Sequence, residues 1–141
     1  MKITKMRHEF VELMPEIIED GVLYVSIKFA LVIHKCPCGC GGRVVTPIAP
    51  DEWKLTFDGE TISLDPSVGN WSFDCQSHYF IKENKVKAAG KMSKDEIDYV
   101  RKMDMVNSKV HLWKKKAKEE AEKYSKEEKT KKKKYFWQRK K

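Results

Sequence analysis

The 141-residue chain lacks any run of about 18 apolar residues, which excludes a helix that crosses a bilayer. Its opening, Met1 to Arg7, is followed by acids where an export signal would carry an apolar core, so the reading is a cytoplasmic protein. Cysteine is scarce, with four residues in all, and in a reducing compartment such clustered thiols bind metal more readily than they form disulfides. A positive excess is also missing from most of the chain. Residues 1–90 carry 10 Lys/Arg against 12 Asp/Glu, whereas residues 91–141 carry 19 against 9. The net charge of +8 therefore belongs to the C-terminal third, and attraction to nucleic acid or an acidic partner belongs there too.

The cysteines themselves are concentrated. Cys36, Cys38 and Cys40 form a C-x-C-x-C run rich in following glycine, and Cys75 lies far downstream. Four thiolates from two remote segments satisfy a tetrahedral Zn2+ ion and staple the fold between them. Disulfides are the rival reading, but C-x-C bridges close strained rings. His34, just before the run, stays outside the ligand set because four sulfurs already complete it.

Around this staple the sequence predicts α+β architecture: a small antiparallel β domain over 1–90, then an amphipathic helix and Lys-rich aromatic tail over 91–141. Pro15 to Gly21 reads as one helical turn closed by glycine, and Val22 to Phe29 alternates like a half-buried strand. Trp53 to Phe57, Asp58-Gly59 and Glu60 to Leu64 make the clearest hairpin. Asp65 to Asn70 reads as a turn-rich loop, and His78 to Ile81 pairs with Lys85 to Ala88 across Glu83-Asn84. Ser93-Lys94-Asp95-Glu96 is a capping box that opens a long helix, with a break expected near Asn107-Ser108. Its first half carries enough apolar residues to pack on the β domain, and its end, Tyr135-Phe136-Trp137 among lysines, is a basic-aromatic tail.

If the cysteines are closed around a metal, they are not available as nucleophiles, and chemistry passes to hydroxyls and imidazoles. His78 follows Cys75 closely enough for a metal to hold its backbone. Ser77 is its neighbour, but adjacent strand residues face opposite ways. Ser67, between Pro66 and Gly69, is the better-placed hydroxyl, with His78 as general base and acid. The Asn70 amide and nearby N–H groups would receive an oxyanion, and Asp65 or Asp74 would orient the imidazole. The plainer readings are a turn hydroxyl for Ser67 and a packed strand residue for His78. Trp53 and Trp71 are core aromatics or the lining of a substrate groove, and His8 reads as a surface residue.

At these positions the chain resembles a bacterial family encoded beside ubiquitin-like modifiers, ThiF-type adenylating enzymes and conjugating-enzyme-like proteins. The resemblance rests on four motifs: H-x-C-x-C-G-C-G at His34 to Gly41, T-P-x-x-P-x-x-W-K-L-T-F-D-G-E at Thr46 to Glu60, S-L-x-P-S-x-G-N-W at Ser63 to Trp71, and C-x-S-H-Y at Cys75 to Tyr79. It covers roughly residues 7 to 90 and implies a serine-type peptidase, deubiquitinase-like, that trims or removes a ubiquitin-like protein. It also implies a metal-binding role for Cys36, Cys38, Cys40 and Cys75, and it leaves Ser77 beside Ser67 as alternative nucleophile. Partners would be the modifier, its conjugates and the adenylating or conjugating enzymes. A non-catalytic alternative remains: a zinc-ribbon-like module whose basic tail grips nucleic acid or those enzymes.

Overall fold

The computed structural model describes the backbone of residues 1–138 and the side chains of 1–131. Met1–Ile97 forms one compact unit and the rest of the chain a second. In the first unit eight strands make two four-stranded sheets. Strands β1 (Arg7–Phe10), β2 (Val22–Ser26), β3 (Leu31–Lys35) and β4 (Arg43–Pro47) lie in that order, with β1 parallel to β2 and the other pairs antiparallel. Strands β5 (Lys54–Phe57), β6 (Ile62–Gly69), β7 (His78–Lys82) and β8 (Lys85–Ala88) make an antiparallel meander. The expected α+β class holds: a small β domain followed by one long helix.

The two sheets share a core because inward side chains alternate along each strand. Leu23, Val25, Val32 and Val44 from one sheet meet Ile62, Leu64, Val68, Tyr79 and Ile81 from the other. The strand at Val22–Ser26 departs from the half-buried expectation, since all five residues are buried. Its outer side chains, Val22 and Tyr24, are covered by Ile18, Val11 and Met14 from the β1–β2 connection. That connection has no helical turn at Pro15 to Gly21; it is an irregular cover that places Ile18 over the sheet. Ile27 and Phe29, expected to continue the strand, lie in the following turn and are exposed.

Asp65 to Gly69 is a second correction. Instead of a loop it is part of β6, and the register slips between Leu64 and Val68. Three residues, Asp65, Pro66 and Ser67, span what Phe80 alone spans on β7. Pro66 has no N–H to give the ladder, which suits it to a bulge. The β7–β8 hairpin forms as read, with Glu83 and Asn84 both at positive φ, as a two-residue primed turn requires.

Helix α1 (Lys94–Gln138) begins at the expected capping box. The Ser93 amide donates to Glu96 Oε2 at 2.7 Å, and the Glu96 amide donates back to Ser93 Oγ at 3.3 Å. It runs through Asn107-Ser108 without a break. The side chains of Tyr135, Phe136 and Trp137, and all of residues 139–141, lie outside the described residues, so the basic-aromatic tail is left as a sequence expectation.

Candidate active site beside a four-cysteine cluster

Strand β3 carries Val32 and His34 on its inward face and hands the chain to the buried Cys36 and the knuckle. There the Cys36 amide donates to the Gly42 carbonyl at 2.8 Å and the Gly39 amide to the Cys36 carbonyl at 3.1 Å. Gly39 and Gly41 both sit at positive φ, the conformation that lets this tight loop turn Cys38 and Cys40 back toward Cys36. Cys75 arrives from the β6–β7 connection. All four sulfurs lie within 4.8 Å of one another, and none is bonded to another. Separations of 3.3 Å (Cys36–Cys38), 3.6 Å (Cys40–Cys75) and 3.9 Å (Cys36–Cys75) are those of thiols gathered around a shared centre, so the cluster fits a metal ion.

Polar groups behind the sulfurs complete the arrangement. Ser77 Oγ is 3.0 Å from Cys36 Sγ, and the Asn70 amide donates to Ser77 Oγ at 2.9 Å and to the Tyr79 hydroxyl at 3.3 Å. The Tyr79 hydroxyl in turn lies 2.8 Å from His34 Nε2. Desolvation holds the fully buried His34 imidazole down at about 4, so it is neutral near physiological pH. Burial pushes Cys38 up to about 12. Burial also opposes ionisation of Cys75, but hydrogen bonds from Ser77, Cys38 and Cys40 together outweigh it and bring that thiol down to about 7.

This network disposes of one expected role. The Asn70 side chain is buried and turned into the cysteine cluster, so its amide is committed to Ser77 and Tyr79 and does not face Ser67 as an oxyanion donor. Ser77 is likewise buried against Cys36, away from His78, as the alternation of a strand dictates.

On the opposite face of β7, His78 Nε2 lies 2.9 Å from Ser67 Oγ. Its other nitrogen, Nδ1, lies 3.0 Å from the Gly90 carbonyl oxygen. A carbonyl only accepts, so Nδ1 carries the proton, Nε2 presents its lone pair, and the Ser67 hydroxyl donates to it. The orienting partner is thus a backbone oxygen; among the described residues neither Asp65 nor Asp74 bonds the ring. A backbone acceptor leaves no mark in the sequence, and the Gly90 carbonyl is one.

Trp71 flanks the pair, its ring centroid 5.0 Å from that of His78. The indole also covers Gly69, where an added Cβ would come 2.4 Å from the Trp71 ring. Trp53 is part of an open groove of about 510 Å³ with Ile48, Pro50, Leu55 and Pro66, the last of which immediately precedes Ser67. The Trp53 indole N–H is buried and has no partner among the described residues. His8, read as a surface residue, is half-buried, packs edge-on against the exposed Phe10 and Phe57 and meets the Asn84 amide at 3.0 Å.

A two-sheet domain with a four-thiol knuckle behind one strand and a serine–imidazole pair in front of it defines a class of protein: a small scaffold with a cysteine cluster that fits a metal ion and a serine hydroxyl bonded to an imidazole. The comparisons narrow the class. The model of the family described as bacterial ubiquitination-like system serine protease (BubE) matches residues 10–89, more than half of the chain, and the chain belongs to that family. It is therefore a serine protease by family, of a bacterial ubiquitination-like system, with ubiquitin-like partners. No curated protein and no solved structure matches the chain. No helix among the described residues is long and apolar enough to cross a membrane.

Proposed function

We propose that the protein cleaves the bond following the C-terminal tail of a ubiquitin-like protein, either to mature a precursor or to release the modifier from a target. The observation that carries this reading is the 2.9 Å contact between Ser67 Oγ and His78 Nε2, with the tautomer fixed by Gly90. Ser67 attacks the scissile carbonyl while His78 Nε2 takes its proton, and the Nδ1–H bond to the Gly90 carbonyl keeps the ring aimed. His78 then returns the proton to the leaving amine, leaving an ester of the modifier on Ser67. A water molecule, deprotonated by the same Nε2, hydrolyses that ester and frees the modifier. The bulge supports the role of Ser67, because it lifts the hydroxyl out of the ladder and toward His78.

The groove beside Pro66 suits an extended tail, with Trp53 as wall, and with Trp71 shielding the imidazole. Cys36, Cys38, Cys40 and Cys75 would hold zinc. A zinc–sulfur length of ~2.3 Å sets tetrahedral sulfur–sulfur edges of ~3.8 Å, and the separations of 3.3 to 3.9 Å support that ion. Four thiolates would leave it no open position, so it would brace the segment from Asn70 to His78 that joins β6 to β7.

The test is cleavage of a ubiquitin-like precursor bearing a C-terminal extension by wild type, Ser67→Ala, His78→Ala and Ser77→Ala. Loss of product in the first two, with Ser77→Ala still active, is the expected result. Full activity in Ser67→Ala would overturn the assignment.

A further inference from the structure

Beyond Ile97 the helix carries an apolar seam that nothing among the described residues of its own unit covers. Set in heptads, a falls on Met103, Val110, Ala117 and Tyr124, and d on Tyr99, Val106, Trp113 and Glu120. Seven of these eight positions are apolar or aromatic, over the three to four heptads that distinguish a coiled-coil seam from an incidental stripe. Every one of them is exposed, including Val110 at 43% and Trp113 at 73%.

The positions flanking the seam say what kind of helix would cover it. All four g positions are lysine (Lys102, Lys109, Lys116 and Lys123), and the e positions are Val100, Asn107, Lys114 and Ala121. From Tyr99 to Tyr124 the flanks thus hold five cations and no acid. In a parallel pair of copies g faces e, which sets Lys109 against Lys114; in an antiparallel pair g faces g, which sets lysine against lysine. Either alignment of two copies repels. A helix with glutamates beside its own apolar seam is attracted along the whole length.

We propose that this seam is the docking surface for an amphipathic helix of a partner protein, one with an apolar a/d stripe and acidic residues at e and g. Glu120, the one charged seam residue, marks where the partner must supply a cation or where the contact ends. The proposal is independent of the Ser67–His78 site.

Two synthetic four-heptad peptides test it on the full chain, alike at a and d and carrying Glu or Lys at e and g. By calorimetry the Glu peptide is expected to bind at least about tenfold more tightly than the Lys peptide, and to lose affinity as salt rises. Val106→Ser with Val110→Ser is expected to abolish that binding while precursor cleavage persists. A quadruple reversal of Lys102, Lys109, Lys116 and Lys123 to Glu is expected to switch preference to the Lys peptide, which a merely unfolded helix could not do. Equal affinity for both peptides, no switch on charge reversal, or a stable dimer through the helix in sedimentation would overturn the proposal.

Discussion

Strand β7 divides the β domain into two regions that differ in every physical respect except their closeness in sequence. Behind it, Ser77 and Tyr79 lie in a buried network that ends on the Cys36 sulfur. In front of it, His78 is only half-buried, and it meets a hydroxyl held by a bulge. The two serines of the motifs are sorted by that one-residue step. Ser77 is bonded to Cys36 and Asn70, while Ser67, only half-buried, meets the His78 imidazole. A hydroxyl becomes a nucleophile through its neighbours, and the strand's alternation assigns the neighbours.

The comparison breaks most severely if the rear region turns out not to hold metal. Structural zinc of this kind is worth on the order of 10 kcal/mol of folding free energy. Removing it with a strong chelator, or replacing Cys36 by Ser, is therefore expected to unfold the β domain, read as loss of the cooperative melt together with one metal ion released per chain. A domain that melts unchanged after complete metal removal would show that the core alone suffices.

Next in size is the front region. Ser67→Ala and His78→Ala are each expected to lower precursor cleavage by about a millionfold, the scale set by removing the nucleophile or base of a unit that acts together. The melting temperature should hardly move, because neither side chain fills the core. Large losses of activity without loss of stability at Ser67, and the reverse at Cys36, would sharpen the division between the two faces.

Ser77→Ala separates them more finely. It deletes a hydroxyl 3.0 Å from Cys36 Sγ and leaves the Asn70 amide short of an acceptor. Loss of such an outer contact typically costs about 10- to 100-fold in metal affinity, measurable by competition with a chromophoric chelator. Cleavage at saturating metal should persist. If cleavage disappears while metal stays bound, Ser77 rather than Ser67 is the nucleophile.

Much of this was legible from residue types and spacing. The thiols of Cys36, Cys38, Cys40 and Cys75 announce a shared centre because softness and tight glycine turns belong to the residues themselves. The Glu83-Asn84 hairpin and the Ser93 cap follow from equally local rules. What escaped depends on tertiary placement. Residues 15–21 read as a helical turn until the outer face of β2 is seen to need a cover, and Asp65 to Gly69 reads as a loop unless its pairing with β7 is known. Proximity in sequence to Ser67 suggests the oxyanion for Asn70, yet the face it takes sends it to Ser77 and the Cys36 sulfur. The Gly90 carbonyl carries no side-chain signature at all.

The smallest effect lies at the β5–β6 turn, in neither region, and so serves as a control. Asp58 accepts hydrogen bonds from the Glu60 amide at 2.9 Å and from the Thr61 amide and hydroxyl, both at 2.6 Å. The Thr61 hydroxyl and amide, with the Glu60 amide, hold its carboxyl down at about 2 against an ordinary 3.8. A carboxylate whose folded value is depressed contributes stability that is fully present above 3.8 and fades as pH falls through about 2. Solvent screens the exposed turn, so the contribution is small. Carboxyl titration followed by NMR should find Asp58 the lowest among the acids of the turn, and Thr61→Val, which removes the hydroxyl but keeps the amide, should raise it part of the way. Because the turn touches neither the sulfurs nor Ser67, that substitution should leave both metal content and cleavage unchanged. A change in either would mean that the hairpin transmits strain along β6 into the bulge, and that the two faces of β7 are less separate than their hydrogen bonds indicate.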